Sequence, residues 1–256
     1  MWRAITFLLP AIAVLGIAHA GPIDGTAPLL DGRIIGGQNT HIGNHPYQVS
    51  LRLDGHHFCG GSIIGQKLVL TAAHCIFKDL LDKYEIQYGV TNVASRKNLI
   101  KVTDIITHEN FDTVTIDYDV ALVILATPIP LGANAKIIAL ASNNPAAGTN
   151  AIVSGWGQAD ENGPTVKILK RLTAEVVAQH VCQEKYREID DITNRMICAG
   201  LVGGEGTCGG DSGGPLVENS VQVGIVSWGV GCAHPDFPGV YSSVANLRDW
   251  IDANSP

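Results

Sequence analysis

Ser212 lies in Cys208-Gly209-Gly210-Asp211-Ser212-Gly213-Gly214-Pro215, where one potential nucleophile sits among four glycines, beside an acid and near a cysteine. Glycine lets a backbone enter left-handed conformations and approach a ligand closely. Such a loop can aim several N–H groups at one point, as a developing oxyanion requires. The same stretch could equally be a glycine-rich turn held by a disulfide. What separates the two readings is whether the chain supplies a base and a carboxylate to serve it. Among nine histidines, His74 stands apart in Leu70-Thr71-Ala72-Ala73-His74-Cys75, at the end of a strand-like run, among small residues and next to a cysteine. Imidazole titrates near neutrality, so it can take a serine proton and return it. Asp119 opens the apolar run Val120-Ala121-Leu122-Val123, and a carboxylate entering a buried strand needs partners. Asp117, among polar and turn-like neighbours, is expected to face solvent.

Positioning these residues falls to short strands. Tyr47–Leu53 alternates strictly, and Asp54-Gly55 supplies a hairpin turn before His57-Phe58-Cys59. Ser62–Ile64 and Lys67–Thr71 flank Gly65-Gln66, a second hairpin candidate. Further strand-like runs are Leu99–Ile106, Val120–Leu125, Ala151–Ser154, Leu172–Val177, Leu216–Val217, Val221–Trp228 and Gly239–Ser243. Many short strands separated by turns predict an all-β barrel or sandwich. Two stretches read as helical: Val176–Arg187, and a C-terminal helix from near Asn246 carrying Val244, Leu247, Trp250 and Ile251 on one face. Gly210-Asp211-Ser212-Gly213-Gly214 also fits the G-x-S-x-G nucleophile elbow, but that fold needs its acid and histidine after the serine. Only His234 follows here, with Asp236 beyond it, and no alternating βα units are visible.

Charged residues make up 16% of the 256 positions and hydrophobic ones 46%, which suits a packed protein rather than a disordered one. The net charge of −7, with no basic run, argues against a nucleic-acid partner. Arg3, the apolar run Ile5–Ile17 and Ala18-His19-Ala20 read as a secretory signal peptide over 1–20. The run contains Pro10 and falls short of the ~20 residues of a spanning helix, so no membrane anchor is expected. An extracellular destination permits disulfides among the six cysteines. Residues 21–33 read as an exposed leader that ends at Arg33, before Ile34-Ile35-Gly36-Gly37.

Arg33-Ile34-Ile35-Gly36-Gly37, Thr71-Ala72-Ala73-His74-Cys75, Asp119-Val120-Ala121-Leu122, Ser154-Gly155-Trp156-Gly157, Gly210-Asp211-Ser212-Gly213-Gly214-Pro215 and Ser227-Trp228-Gly229 occur in this order. In this the chain resembles chymotrypsin/trypsin-type serine proteases. The resemblance implies two packed six-stranded antiparallel Greek-key barrels, about 46–135 and 136–244, and a C-terminal helix at about 245–254, within a protease domain over 34–256. It assigns attack to Ser212, acid–base work to His74, orientation of His74 to Asp119 and an oxyanion hole to the N–H groups of Gly210 and Ser212. Ser227, Trp228 and Gly229 would pair with the substrate backbone. A trypsin-like activator would cut Arg33–Ile34, and the new Ile34 amine would pair with Asp211. Implied disulfides are Cys59–Cys75, Cys182–Cys198 and Cys208–Cys232, a set more like invertebrate digestive or venom members than vertebrate pancreatic ones. Protein or peptide substrates and serine protease inhibitors are the implied partners of a secreted monomer without cofactors.

Specificity is where the chain departs from trypsins. Gly206 stands where trypsins place an aspartate at the pocket base, and Gly229 and Gly239 stand at the walls. An open, uncharged slot favours large apolar or aromatic residues, as in chymotrypsin. Glu205, one position away, is expected to point into solvent, because successive side chains of an extended segment alternate in direction. Gly209 predicts an open pocket rim. The region about Val90–Asn98, where trypsins bind calcium, lacks the usual glutamates and predicts no metal site. No Asn-x-Ser/Thr sequon is present.

Overall fold

The β-branched and aromatic runs form strands because alternate side chains can be buried on one face of a pleated ladder. A computed structural model describes residues 37–159, 163–200 and 206–256. The expected signal peptide and leader, with Arg33, Ile34 and Glu205, lie outside the described residues. The first strands are β1 Gln38–Asn39, β2 Gln48–Leu53, β3 His56–Gly65, β4 Leu68–Thr71, β5 Tyr84–Tyr88, β6 Leu99–Thr107 and β7 Ala121–Leu125. They are followed by β8 Ala139–Leu140, β9 Asn150–Gly155, β10 Lys170–Val177, β11 Met196–Gly200, β12 Pro215–Glu218, β13 Val221–Trp228 and β14 Gly239–Ser243. The helices are α1 Gln179–Tyr186 and α2 Val244–Asn254.

Two closed rings result. The first runs β2-β3-β4-β7-β6-β5 and closes through pairing of β5 with β2, and the second runs β9-β10-β11-β14-β13-β12 and closes through pairing of β12 with β9. Within each ring the strand order is first, second, third, sixth, fifth, fourth, so both barrels share one antiparallel Greek-key plan. Asp54 and Gly55, with φ of 51° and 77°, make the left-handed two-residue turn that the Asp-Gly signal predicts between β2 and β3. The turn before β4 sits at Gln66-Lys67, one residue later than expected. The expected strands omit β5 and β11, and also the two-residue β1 and β8. The first helix begins only at Gln179, because Val176 and Val177 stay in β10, where Val177 pairs with Cys198. Ser243 caps α2, its hydroxyl accepting from Asn246 N at 3.1 Å.

α2 comes from the end of the second barrel, yet its buried Val244, Leu247 and Ile251 join the core of the first. Elsewhere the seam between barrels is polar and fully buried. Ser62 Oγ donates to Gln222 Oε1 at 2.6 Å, and Ser154 Oγ donates to Gln48 Oε1 at 2.7 Å. Gly60 on β3 donates its N–H to Ser212 O at 2.7 Å. A Cβ at position 60 would lie 2.9 Å from Gly214 Cα, so the two backbones meet this closely because residue 60 lacks a side chain. Gly60→Ala is therefore expected to destabilise the protein by roughly 1–3 kcal/mol in denaturant unfolding. Gly132→Ala, where nothing lies within 4 Å, should change little and serves as control.

Candidate active site

His74 is carried on a single 3-10 turn, Ala73–Cys75, directly after β4. Cys75 ties that turn to Cys59 on β3. Tyr84 holds its far side, with Oη donating to Cys75 O at 2.9 Å and accepting from Phe77 N at 2.9 Å. Both sulfurs beside His74 are in that disulfide, so they offer no thiolate to a metal.

Asp119 precedes β7 and is almost wholly buried, at 1% exposure. His74 donates to it twice: its backbone N to Oδ1 at 2.9 Å and its ring Nδ1 to Oδ2 at 2.8 Å. Ser227 Oγ, from β13 of the other barrel, donates to Oδ2 at 2.5 Å, and Ser242 Oγ donates to the Asp119 carbonyl at 2.7 Å. With Nδ1–H committed to the carboxylate, neutral His74 keeps its Nε2 lone pair available as an acceptor. The sequence marks Ser227 only as a contact for the substrate backbone. Its hydroxyl serves Asp119, a role that no local pattern announces.

Asp117 differs from expectation. Instead of facing solvent it is buried, accepting from Arg195 Nε at 2.9 and 3.2 Å and from Thr193 Oγ1 at 3.1 Å, with Arg195 Nη2 also donating. Burial pushes its carboxyl up, but Arg195, the Tyr118 N–H and Thr193 together hold it below the ordinary carboxylate range. Ile116 and Tyr118 on either side have φ of 52° and 55°, a conformation costing non-glycine residues about 1–3 kcal/mol each.

The Ser212 loop is tied to β13 through Cys208–Cys232 just beyond it, and the third bridge joins Cys182 to Cys198. Gly210 has φ of 90° and Gly213 77°, left-handed values that explain glycine at both places. Among the described residues, no group accepts from the N–H of Gly210 or of Ser212. Asp211 is fully buried, its carboxylate accepting from Gly157 N at 2.9 Å and Cys208 N at 3.2 Å. A Cβ on Gly155 or Gly157 would fall 2.2 and 2.4 Å from that carboxylate, so the Gly-Trp-Gly stretch makes its chamber. Burial pushes Asp211 up to about 6 despite those two donors.

His57 is a residue the sequence reading passes over. Its Nδ1 lies 2.7 Å from Ser50 Oγ and its Nε2 3.1 Å from Gly210 O. A carbonyl only accepts, so Nε2 carries the proton and Nδ1 accepts from Ser50. Burial lowers this ring to about 4, which keeps it neutral as it pins the Gly210 carbonyl. Its only sequence signal is a place two residues before Cys59.

A cavity of about 160 Å3 is lined by Gly206, Ser212, Trp228, Gly229, His234 and Gly239, among others. None of the described lining residues carries a carboxylate. A Cβ on Gly206 would lie 2.9 Å from Ala233 Cα, so the base has room for glycine alone. The rim is less open than Gly209 suggests: a Cβ there would fall 2.3 Å from Gln158 Oε1, which occupies that space. In the loop about Val90–Asn98, Arg52 from β2 donates to Val93 O at 3.2 Å and to Gln87 Oε1 at 2.8 Å.

The family model described as Trypsin matches residues 34–251. The chain belongs to the trypsin family. It is 39% identical over 250 residues to the vitellin-degrading protease of Bombyx mori, covering 96% of this chain and 94% of that protein. Hypodermin-B of Hypoderma lineatum is 40% identical over 257 residues, covering 100% and 99%. Trypsin beta of Drosophila erecta is 41% identical over 251 residues, covering 97% and 98%. Among solved structures it is similar to neuropsin, a serine protease expressed in the limbic system of mouse brain, with a TM-score of 0.79 and 32% identity. That match covers 85% of this chain and 97% of the neuropsin chain. The protein is thus a trypsin-family serine protease. No helix among its described residues is long and apolar enough to cross a membrane.

The buried carboxylate at the floor of the Ser212 loop gives this trypsin-family chain a pH signature. Asp211 is raised from 3.8 to about 6, so its contribution to stability is intact at low pH and is lost as pH rises through that interval. In an uncleaved Ser212→Ala background, Asp211→Asn should remove this loss. Relative to the variant, the Asp211 form should lose roughly 3 kcal/mol of unfolding free energy between about pH 4 and pH 7. Denaturant titrations at the two pH values measure it.

Proposed function

We propose that this protein is a secreted serine endopeptidase, made as a zymogen, that cleaves after large apolar or aromatic residues. The observation carrying the reading is the cavity of Gly206, Gly229 and Gly239, with Ser212 at its lining and no carboxylate among its described lining residues. In this mechanism Ser212 Oγ attacks the scissile carbonyl carbon while His74 Nε2 takes its proton. Asp119 fixes the tautomer and stabilises the imidazolium, and the Gly210 and Ser212 N–H groups receive the oxyanion. The C–N bond breaks as His74 protonates the departing amine, leaving an acyl ester on Ser212. Water, deprotonated by His74, then attacks the ester, and the proton returns to Ser212 as the acid leaves. Ser227 to Gly229 offer the edge on which the substrate backbone lies as an added strand.

A trypsin-like preference is the second reading, favoured by the names of the Drosophila relatives and by Glu205 beside the pocket base. Matched peptides ending in Phe, Tyr, Leu, Arg and Lys decide between them. Activated enzyme is expected to favour Phe, Tyr and Leu, and dominant cleavage after Arg or Lys would sink the proposal. A serine-directed phosphonylating reagent should label Ser212; failure to label would point to a binding homologue instead.

Activation is proposed to follow cleavage at Arg33–Ile34 by a separate trypsin-like protease, the Ile34 amine then pairing with Asp211. Support comes from the Asp211 chamber, where a buried carboxylate has two N–H donors and no cation among the described residues. Pairing raises the amine's pKa above its free value of ~8. The active form is therefore fully favoured below that value and lost as pH rises through the folded pKa. Mature enzyme acetylated at Ile34 should be inactive at every pH in an amidase assay.

A further inference from the structure

The turn that presents Asp119 is built from strained residues and held from the opposite barrel. Ile116 and Tyr118 have left-handed φ values on either side of Asp117, and Val120 N donates to Tyr118 O at 2.8 Å, so Asp119 sits at the apex of a tight turn. A β-branched residue and an aromatic one hold such conformations only where their surroundings over-determine them. Arg195, immediately before β11 of the second barrel, supplies that constraint. Its guanidinium grips Asp117 through Nε and Nη2, and its Cζ lies 4.1 Å from the Tyr118 ring centroid. Thr193 Oγ1 adds a bond to Asp117, and Asn194 Oδ1 accepts from Arg195 Nη1 at 2.9 Å. The other face of the turn is closed by aromatics. His108 lies 4.5 Å from Tyr118 and 4.8 Å from Trp250, ring centroid to ring centroid, and Trp250 Nε1 donates to Glu109 Oε2 at 2.7 Å. Arg195 O accepts from Ser243 N at 2.7 Å, next to the Ser242 that holds the Asp119 carbonyl.

We infer that Arg195 is a positioning residue for catalysis: from the second barrel it clamps Asp117 and Tyr118 so that the turn aims the Asp119 carboxylate at His74. The inference rests on the proposed role of Asp119. A buried ion pair adds little net stability, since desolvation offsets attraction, but its planar fork fixes geometry closely. Arg195 therefore acts on turnover more than on substrate binding, because it touches neither the pocket nor Ser212.

The test uses activated full-length enzyme, normalised by active-site titration. Arg195→Met should lower kcat by roughly 10- to 100-fold while KM stays within about twofold. Arg195→Lys should recover part of the loss, since it keeps the charge without the fork. Asp117→Asn, which keeps the size and an acceptor oxygen, should lower kcat in the same direction and covers the case in which Arg195→Met does not fold. The downfield proton resonance of His74 Nδ1–H should broaden or shift in each variant. Asp119→Asn, measured alongside, should lose about 10⁴ in kcat. If it does and the Arg195 and Asp117 variants keep wild-type kcat and an unchanged resonance, the clamp is refuted. If Asp119→Asn itself keeps full kcat, the underlying role of Asp119 fails instead.

Discussion

A carboxylate taken out of water must be fully hydrogen-bonded, and Asp119 meets that demand only where the two barrels touch. His74 from the first barrel supplies two N–H donors, and Ser227 from the second supplies a hydroxyl, while Ser242 holds the Asp119 carbonyl. Neither barrel alone carries this donor set. The polar seam of Gln48, Ser62, Ser154 and Gln222 has the same character, with buried side chains paired across the boundary beside the apolar contact of α2. Such a seam specifies one relative placement, because a slip would strand buried polar atoms.

The Ser212 loop obeys a second constraint of the same kind. Asp211 fills a chamber that exists because Gly155 and Gly157 have no side chains, and burial leaves its carboxyl short of compensation. On the other side of the loop, His57 stays neutral and bridges Ser50 to the Gly210 carbonyl. The loop is thus fixed at its disulfide and at Gly210, while its acid remains poised for a cationic partner. That imbalance supports the proposal that Asp211 pairs with the Ile34 amine after leader cleavage.

At the pocket, tight packing limits which residues fit. Gly206 abuts Ala233 so closely that an aspartate could not enter without displacing backbone. The relatives named trypsin share about two-fifths of their residues with this chain, and that overall similarity does not report on one pocket-base position. Gln158 fills the space that Gly209 leaves, so losing a side chain at the rim does not by itself open it.

Local composition was enough to single out Ser212 among its glycines, His74 before Cys75 and Asp119 at the mouth of an apolar strand. Period-two patterning was enough for most of the strands and for an all-β fold. β5 lies outside the expected strands even though Tyr84-Glu85-Ile86-Gln87-Tyr88 alternates. β11 was harder: Met196–Gly200 is a short run whose strand character comes from its pairing with β10 and β14. Asp117 shows the limit most clearly. Its neighbours read as an exposed turn, yet Arg195, 78 positions away, reaches across the barrel boundary and buries it in an ion pair. The services of Ser227 to Asp119 and of His57 to Gly210 were hidden for the same reason. Spacing and polarity record what a residue does for its own strand, whereas hydrogen bonds between barrels depend on where the folded backbones bring distant side chains. The sequence by itself determined the chemistry on offer and most of the strands that carry it; only the tertiary structure decided which polar groups meet, because several buried groups take partners from the other barrel.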